Sequence, residues 1–114
     1  MQSACSISAQ DAIHLRDCGS VLFVDVRPPI EIAQTGCVAG AKRVPAIDIS
    51  RTARPGSPSY DPDFKVAETI VLYCDQGNRA ALAAEQLKQL GYANVRTLAR
   101  FADWKAAGGP VQGY

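Results

Sequence analysis

The sequence has few residues of the kinds that bind metals or form paired-thiol motifs. It contains one histidine, His14, and its four cysteines are widely spaced, with no C-x-x-C pair among them. Because a zinc site needs several such ligands at short spacing, we expect no bound metal. The even number of cysteines is compatible with two disulfides, but 114 residues suffice for an apolar core that does not need them. We therefore expect reduced thiols.

The sequence also lacks an excess of charge, and it lacks long apolar runs. Its formal net charge is +1, and lysine and arginine do not cluster as they do in nucleic-acid-binding proteins. The longest apolar runs, 21–24 and 70–74, are far too short to cross a bilayer, and the first residues do not resemble a signal peptide. We expect a cytoplasmic protein with no nucleic-acid or membrane partner, which could still be part of a longer precursor.

Three segments have the composition of buried strands. Residues 21–26 and 70–74 are short apolar runs that contain β-branched side chains, and residues 95–98 form a third such segment. A shorter strand is expected at residues 43–47. The stretch 50–63 holds three prolines and a glycine, which predicts a loop over the surface that could lie near a functional site.

Helices are expected between these strands, where capping residues, prolines and glycines mark their ends. The expected ranges are 8–19, 28–36, 79–90 and 101–107. The third helix should bury one face, formed by Leu82, Ala83, Leu87 and Leu90. The alternation of strands and helices predicts an α/β fold in which a mostly parallel sheet is covered on both faces. The length predicts a single domain over residues 1–114.

Cys74 stands at the junction between a predicted strand and a predicted helix. A cysteine at the end of an apolar strand is usually a core residue. Here, however, a tight loop with Gly77 and then a strong helix follow, which places the sulfur near a helix N-terminus. N–H groups without intrahelical partners and the helix macrodipole stabilise an anion there. Cys74 is therefore a candidate nucleophile that needs no histidine, and His14 is expected on the surface.

Four segments, in order along the chain, resemble the motifs of the rhodanese superfamily. C-D-Q-G-N-R-A at 74–80 looks like its active-site loop, C-x-x-G-x-R-[AS]. L-F-V-D-V-R-P-P-I-E-I at 22–32 is similar to L-[IV]-D-V-R-x-x-x-E-[FY], and T-G-C-V-A-G-A-K-R-V-P at 35–45 to G-H-I-x-G-A-x-x-[IV]-P. F-A-D-W-K-A-A-G-G-P-V at 101–111 resembles the closing G-G-x-x-x-W-x-x-x-G-x-P. The resemblance implies a three-layer α/β/α rhodanese-like domain with a mostly parallel central sheet.

The resemblance also implies sulfurtransferase chemistry without a cofactor. Cys74 would take a sulfane sulfur from thiosulfate or a persulfide, become a persulfide itself, and pass the sulfur to cyanide, a small thiol or a protein cysteine. Asp25 and Arg27 would pair and support the neighbouring loops rather than act as catalysts, since a buried carboxylate needs a partner. The loop that holds the persulfide would consist of Asp75, Gln76, Gly77, Asn78, Arg79 and Ala80.

Departures from the family pattern leave alternatives open. Cys37 stands where the family usually has histidine, which is compatible either with a buried thiol or with a redox partner of Cys74. Asp75 directly follows the nucleophile and opposes anionic donors, so a persulfide or protein donor fits as well as thiosulfate. The domain could also be a sulfur carrier or a protein-binding module with little thiosulfate activity. Cysteine phosphatases of this fold are disfavoured, because their loop is C-x5-R and only four residues separate Cys74 from Arg79 here.

Overall fold

A five-stranded parallel sheet forms the centre of the protein in a computed structural model that describes residues 5–75, 78–98 and 100–113. The four pairings within the sheet are all parallel. A separate antiparallel pair joins β3 (Cys37–Val38) to β7 (Val111–Gln112). The order across the sheet is β1 (Cys5–Ile7), β6 (Val95–Leu98), β5 (Thr69–Tyr73), β2 (Val21–Asp25) and β4 (Lys42–Arg43).

Helices cover both faces of the sheet, as the alternating sequence pattern predicts. On one face α5 and the shorter α3 and α4 pack on Val24, Ile70 and Leu72, and on the other α1 and α6 pack on Phe23 and Val71. The helices are α1 (Ala9–Cys18), α2 (Pro29–Thr35), α3 (Ile49–Thr52), α4 (Asp63–Val66), α5 (Asn78–Gln89) and α6 (Phe101–Ala106), with a 3-10 turn at Ala46–Asp48. This arrangement confirms the α/β fold with two helical layers.

The pairing of β2 with β5 determines where the functional side chains lie. Asp25 is opposite Tyr73 in the register, so the residues that follow both strands meet at one edge of the sheet. The prolines after β2 end it, and Pro29 begins α2 with the φ angle that a first helical turn requires. In parallel sheets ligands bind at the carboxyl ends of the strands, which is the edge reached here.

Two sequence expectations for the segment after α2 were wrong in detail. The strand expected at 43–47 is only Lys42–Arg43, because the chain turns at Pro45, which has no N–H, into the 3-10 turn. The loop expected at 50–63 begins inside α3 and ends inside α4. Its Pro55 lies beside the start of β5, at the opposite edge of the sheet from Cys74.

The buried face of α5 also differs from the expected one. Leu82 is 65% exposed, whereas the buried side chains of the helix are Ala80, Ala83, Ala84 and Leu87. Small alanine side chains let the helix approach the sheet closely. The buried face of α5 is therefore rotated away from Leu82. The short β1, β3 and β7 escaped the sequence analysis, because two or three residues show no measurable period.

Within the described part of the chain, no helix is both long and apolar enough to pass through a membrane.

The closing turn after α6 leads to a first prediction, on Gly109. A Cβ built there would lie 2.2 Å from Cε2 of buried Trp104, whose ring packs on Phe23 and whose Nε1–H donates to the carbonyl of Pro110. Gly109→Ala should therefore lower the free energy of unfolding by about 1–3 kcal/mol through overpacking. Urea unfolding followed by the fluorescence of the single tryptophan measures the change. Gly113→Ala, where a Cβ meets nothing within 4 Å, should have little effect.

Candidate active site

Cys74 follows β5 directly and lies at the carboxyl edge of the sheet. Its side chain is only 1% exposed, but it lines a pocket of about 300 Å³ together with Glu31, Asp75, Asn78 and Arg79. Asn78 begins α5, a 12-residue helix, so the sulfur lies beside the positive end of a helix. The main chain is fixed on the other side, where Phe101 N–H donates to the Cys74 carbonyl at 3.1 Å. This position suits an anionic sulfur.

The loop between Cys74 and α5 is described in part. Gln76 and Gly77 lie outside the described residues, so a cradle of their N–H groups around the sulfur stays a prediction. Ala80 is buried against the sheet and contributes to the core. Asp75, Asn78 and Arg79 line the pocket of Cys74, and their role in holding a persulfide stays a prediction.

A buried ion pair lies next to this loop. Asp25 and Arg27 are both fully buried, and Arg27 Nη2 donates to Asp25 Oδ2 at 2.8 Å while its Nε and main-chain N–H donate to Oδ1 at 3.0 Å. The remaining donors reach Thr35 Oγ1 and the Gly36 carbonyl, both at 2.8 Å. One side chain thus joins the end of β2 to the end of α2.

The charge of Arg27 is maintained in spite of its burial. Burial opposes the guanidinium, but the hydrogen bonds and negative charge of Asp25 outweigh it and hold the pKa of Arg27 above its ordinary value. The guanidinium also lies 4.7 Å from the centre of the Phe101 ring. Burial raises the pKa of neighbouring Tyr73, so its hydroxyl stays protonated. The oxygen of this hydroxyl accepts a hydrogen bond from Val38 N–H at 2.9 Å.

Arg79 forms a two-pronged ion pair across the mouth of the pocket. Its Nη1 and Nη2 each donate to one carboxylate oxygen of Glu31, both at 3.1 Å. The pair raises the pKa of Arg79 and lowers that of Glu31, chiefly through these hydrogen bonds. Because the pKa of Glu31 is lowered on folding, the pair stabilises the protein above the ordinary carboxyl range, and this contribution is lost as pH falls through the lowered pKa.

Asp75 adds a further carboxylate to the rim of the pocket. Its side chain is 49% exposed, and its Oδ1 lies 3.4 Å from Nη1 of Arg27. It also faces the Glu31 carboxylate. The guanidinium of Arg27 is therefore paired with Asp25 and Asp75, and that of Arg79, which lines the pocket of Cys74, is paired with Glu31.

Cys37 is buried in β3, and neither Cys37 nor Cys74 forms a disulfide. Its strand is anchored by the contact of Arg27 with the carbonyl of Gly36. A side chain at Gly36 would meet the Gln112 carbonyl at 2.6 Å, so the tight packing of β3 on β7 requires glycine there. The hypothesis that Cys37 is a redox partner of Cys74 stays a prediction.

Three further arginines do not line this pocket. Arg51 pairs with Asp48, and Arg54 lines a different surface pocket near Pro55. Arg100 pairs with Asp103 on the exposed side of α6. His14 is exposed on α1. Among the residues that the structure describes, no group of three or more His, Cys, Asp or Glu could hold a metal ion.

Glu31 is the residue of the site that the sequence analysis did not select. It stands at the glutamate of the pattern L-[IV]-D-V-R-x-x-x-E-[FY], which was one signal that could have found it. An acidic residue in the first turn of a helix is, however, already explained by its interaction with the helix dipole. The ion pair of Glu31 with Arg79 depends on the pairing of β2 with β5, which brings the first turn of α2 beside the first turn of α5. An available signal was that α2 begins at the same sheet edge as the loop of Cys74.

Comparison with known proteins places most of the chain in one family pattern. The profile of the rhodanese-like domain matches residues 8–107. An uncharacterized protein from Synechocystis is 32% identical over 111 residues, which cover 96% of this chain and 57% of that protein. The chain thus spans little more than half the length of this curated relative, and a single domain over residues 1–114 stays a prediction.

Solved structures agree with this pattern. A protein of unknown function from Rhodopseudomonas palustris, described as a possible tyrosine phosphatase, is 31% identical with a TM-score of 0.88, over 96% of this chain and 85% of that one. A rhodanese with anions from E. coli is 28% identical with a TM-score of 0.58, over 73% of this chain and 89% of that one.

The buried ion pair leads to a second prediction. Asp25→Asn removes the negative charge and leaves the buried Arg27 with Asp75, at 3.4 Å, as its remaining carboxylate partner, so the free energy of unfolding should fall by about 3–5 kcal/mol. Equilibrium urea unfolding measures this loss. Asp103→Asn, which breaks the exposed pair with Arg100, is the matched control and should stay close to the wild type. A similar loss in both variants would contradict the prediction.

Proposed function

The chain belongs to the rhodanese-like domain family, and on this premise we propose that it is a sulfurtransferase that carries sulfur as a persulfide on Cys74. The observation that carries the proposal is the position of Cys74, between the end of β5 and the start of α5, in a pocket that it shares with Arg79. A thiolate there is supported by the helix dipole and needs no neighbouring base. The reaction is a two-step, ping-pong exchange.

In the first step the thiolate of Cys74 attacks the outer sulfur of the donor. With thiosulfate, the S–S bond breaks, sulfite leaves as a dianion and Cys74 becomes a persulfide anion. With an organic persulfide R–S–SH, the thiolate R–S⁻ leaves and the proton stays on the new Cys74 persulfide. In the second step an acceptor such as cyanide attacks the outer sulfur, thiocyanate leaves and the Cys74 thiolate returns. The donor and acceptor are proposed to be small sulfur compounds, with a protein cysteine as a further acceptor.

The surrounding residues have supporting roles in this proposal. Asp25 and Arg27 position the loop without touching the reacting sulfur, and the N–H groups of residues 75–80 hold the persulfide. Because thiols are kept reduced in the cytosol, the proposal includes a cytoplasmic location. A carrier module that takes sulfur only from a protein donor would use the same persulfide.

A phosphatase is the second candidate, because the similar Rhodopseudomonas palustris structure is described as a possible tyrosine phosphatase. Phosphate binding needs the arginine of the loop to face the anion, whereas both Nη atoms of Arg79 donate to Glu31. The spacing between Cys74 and Arg79 is also one residue shorter than C-x5-R. Sulfur transfer therefore fits the site better. Hydrolysis of p-nitrophenyl phosphate at a rate that Cys74→Ser abolishes would favour the phosphatase.

The third prediction concerns Cys74. Incubation with thiosulfate or an organic persulfide should add one sulfur atom to Cys74, and cyanide should then remove it as thiocyanate. Cys74→Ser should lose at least about a thousandfold in transfer rate, because serine lacks a comparable nucleophile at neutral pH. Mass spectrometry of the intact protein and thiocyanate colorimetry give the two readouts. If wild-type protein gains no sulfur from any of these donors, the proposed function fails.

The fourth prediction concerns Cys37. Because Cys37 is fully buried in β3 and does not line the pocket of Cys74, Cys37→Ser should retain transfer within about threefold of the wild type. Peptide mapping after mild peroxide treatment checks the redox alternative, in which Cys37 would capture oxidised Cys74 as a disulfide. A Cys37–Cys74 disulfide that forms before irreversible oxidation of Cys74 would instead support the redox enzyme.

A further inference from the structure

Two guanidiniums at this edge of the sheet are held by carboxylates: that of Arg79, which lines the pocket of Cys74, and that of Arg27, which contacts Asp75. Arg79 gives both Nη atoms to Glu31 at 3.1 Å, and buried Arg27 gives its donors to Asp25 and, at 3.4 Å, to Asp75. Glu31, Asp75 and Arg79 all line the pocket of Cys74. A dianionic donor that enters this pocket therefore meets more carboxylate charge than guanidinium charge.

We propose that Glu31 is a specificity-determining residue of the sulfur-transfer site. Its carboxylate occupies Arg79 and, together with Asp75, makes the pocket select sulfur donors of low charge, such as organic persulfides, over dianions such as thiosulfate. This inference rests on the proposed function for its reaction, but its effect on anion binding stands without any sulfur transfer.

Thiosulfate bound with its outer sulfur at Cys74 would compete with Glu31 for the guanidinium of Arg79. Each Nη atom of Arg79 already gives one hydrogen bond to the Glu31 carboxylate. Because a two-pronged arginine–carboxylate pair is among the stronger polar contacts, a sulfonate gains less from this arginine than it would from an unpaired one. An organic persulfide brings no sulfonate and leaves the pair between Arg79 and Glu31 in place. The thiolate attacks its outer sulfur directly, with the leaving thiolate directed out of the pocket.

The surroundings supply little compensating positive charge. On its other side Arg79 borders a second pocket of about 290 Å³, whose remaining lining is apolar: Val26, Pro28, Pro45, Ala46 and Ile47. Arg51 and Arg54 line neither pocket in the described structure. The N-terminus of α5 contributes about half a positive charge, which matches one anionic sulfur but not an added dianion.

Glu31 remains ionised at neutral pH, so carboxylates outnumber guanidiniums in the lining of the pocket. The hydrogen bonds from Arg79 hold its pKa below the ordinary range, with a smaller contribution from contact with Asp75. Arg79 is held in its charged form by the same pair. The carboxylate therefore repels an incoming dianion under the conditions in which the thiolate of Cys74 reacts.

The decisive measurement is thiosulfate binding in a background that cannot react. Isothermal titration of Cys74→Ser and of the double variant Cys74→Ser/Glu31→Gln compares affinity directly. The double variant should bind thiosulfate about tenfold more tightly, because glutamine keeps the shape but removes one negative charge near the anion. Adding Glu68→Gln, at an exposed position that lines a different pocket, should leave the affinity of Cys74→Ser within about twofold. An unchanged or weaker affinity in the Glu31→Gln background would overturn the inference.

Kinetics give the second readout. In protein that retains Cys74, Glu31→Gln should raise the ratio of kcat/KM for thiosulfate to kcat/KM for benzyl persulfide by about tenfold. The change should come mainly from a lower KM for thiosulfate. Asp75→Asn, at a half-exposed position that tolerates substitution, should shift the ratio in the same direction. Equal losses with both donors, or an unchanged ratio, would mean that Glu31 is only structural. Tighter thiosulfate binding without sulfur transfer from any donor would leave this inference standing and contradict the proposed function alone.

Discussion

The buried ion pair between Asp25 and Arg27 is the interaction on which the arrangement of the site depends. Two charges inside a protein remain there only if they satisfy each other, because each loses its hydration. Asp25 accepts from three nitrogens of Arg27, which leaves the other donors of the guanidinium for Thr35, Gly36 and Asp75. A single side chain therefore connects β2, the end of α2 and the loop that begins at Cys74.

The ion pairs of Arg27 and Arg79 also explain the charge around the pocket. Arg27 is paired with a buried carboxylate and Arg79 with Glu31, so the positive charge of both guanidiniums is already balanced by carboxylates. The remaining positive potential comes from the N-terminus of α5, which suits a single anionic sulfur. A site built this way differs from a phosphate site, where an arginine must point at the oxyanion. In the proposed function the helix supports the nucleophile, while the carboxylates restrict what approaches it.

Much of the fold could be predicted because its two central strands lie in segments whose composition is typical of buried strands. Residues 21–26 and 70–74 are apolar and β-branched, and the structure forms β2 and β5 there. Short elements were missed, since β1, β3 and β7 owe their form to pairing rather than to their own composition. The exposed Leu82 shows the same limit. Helical periodicity indicates that one face of α5 is buried, but the face that packs closely on the sheet is formed mainly by alanines.

The sequence by itself determined the family and the candidate nucleophile, because the spacing of Cys74, Gly77 and Arg79 and the alternation of elements are local properties of the chain. It also indicated the pairing of Asp25 with Arg27, which are two residues apart. Only the tertiary structure decided the partner of Arg79. Glu31 is 48 residues distant, and the contact exists because β2 and β5 lie side by side and bring the first turns of α2 and α5 together. Charges that far apart along a chain have no preferred partner until the sheet fixes their distance.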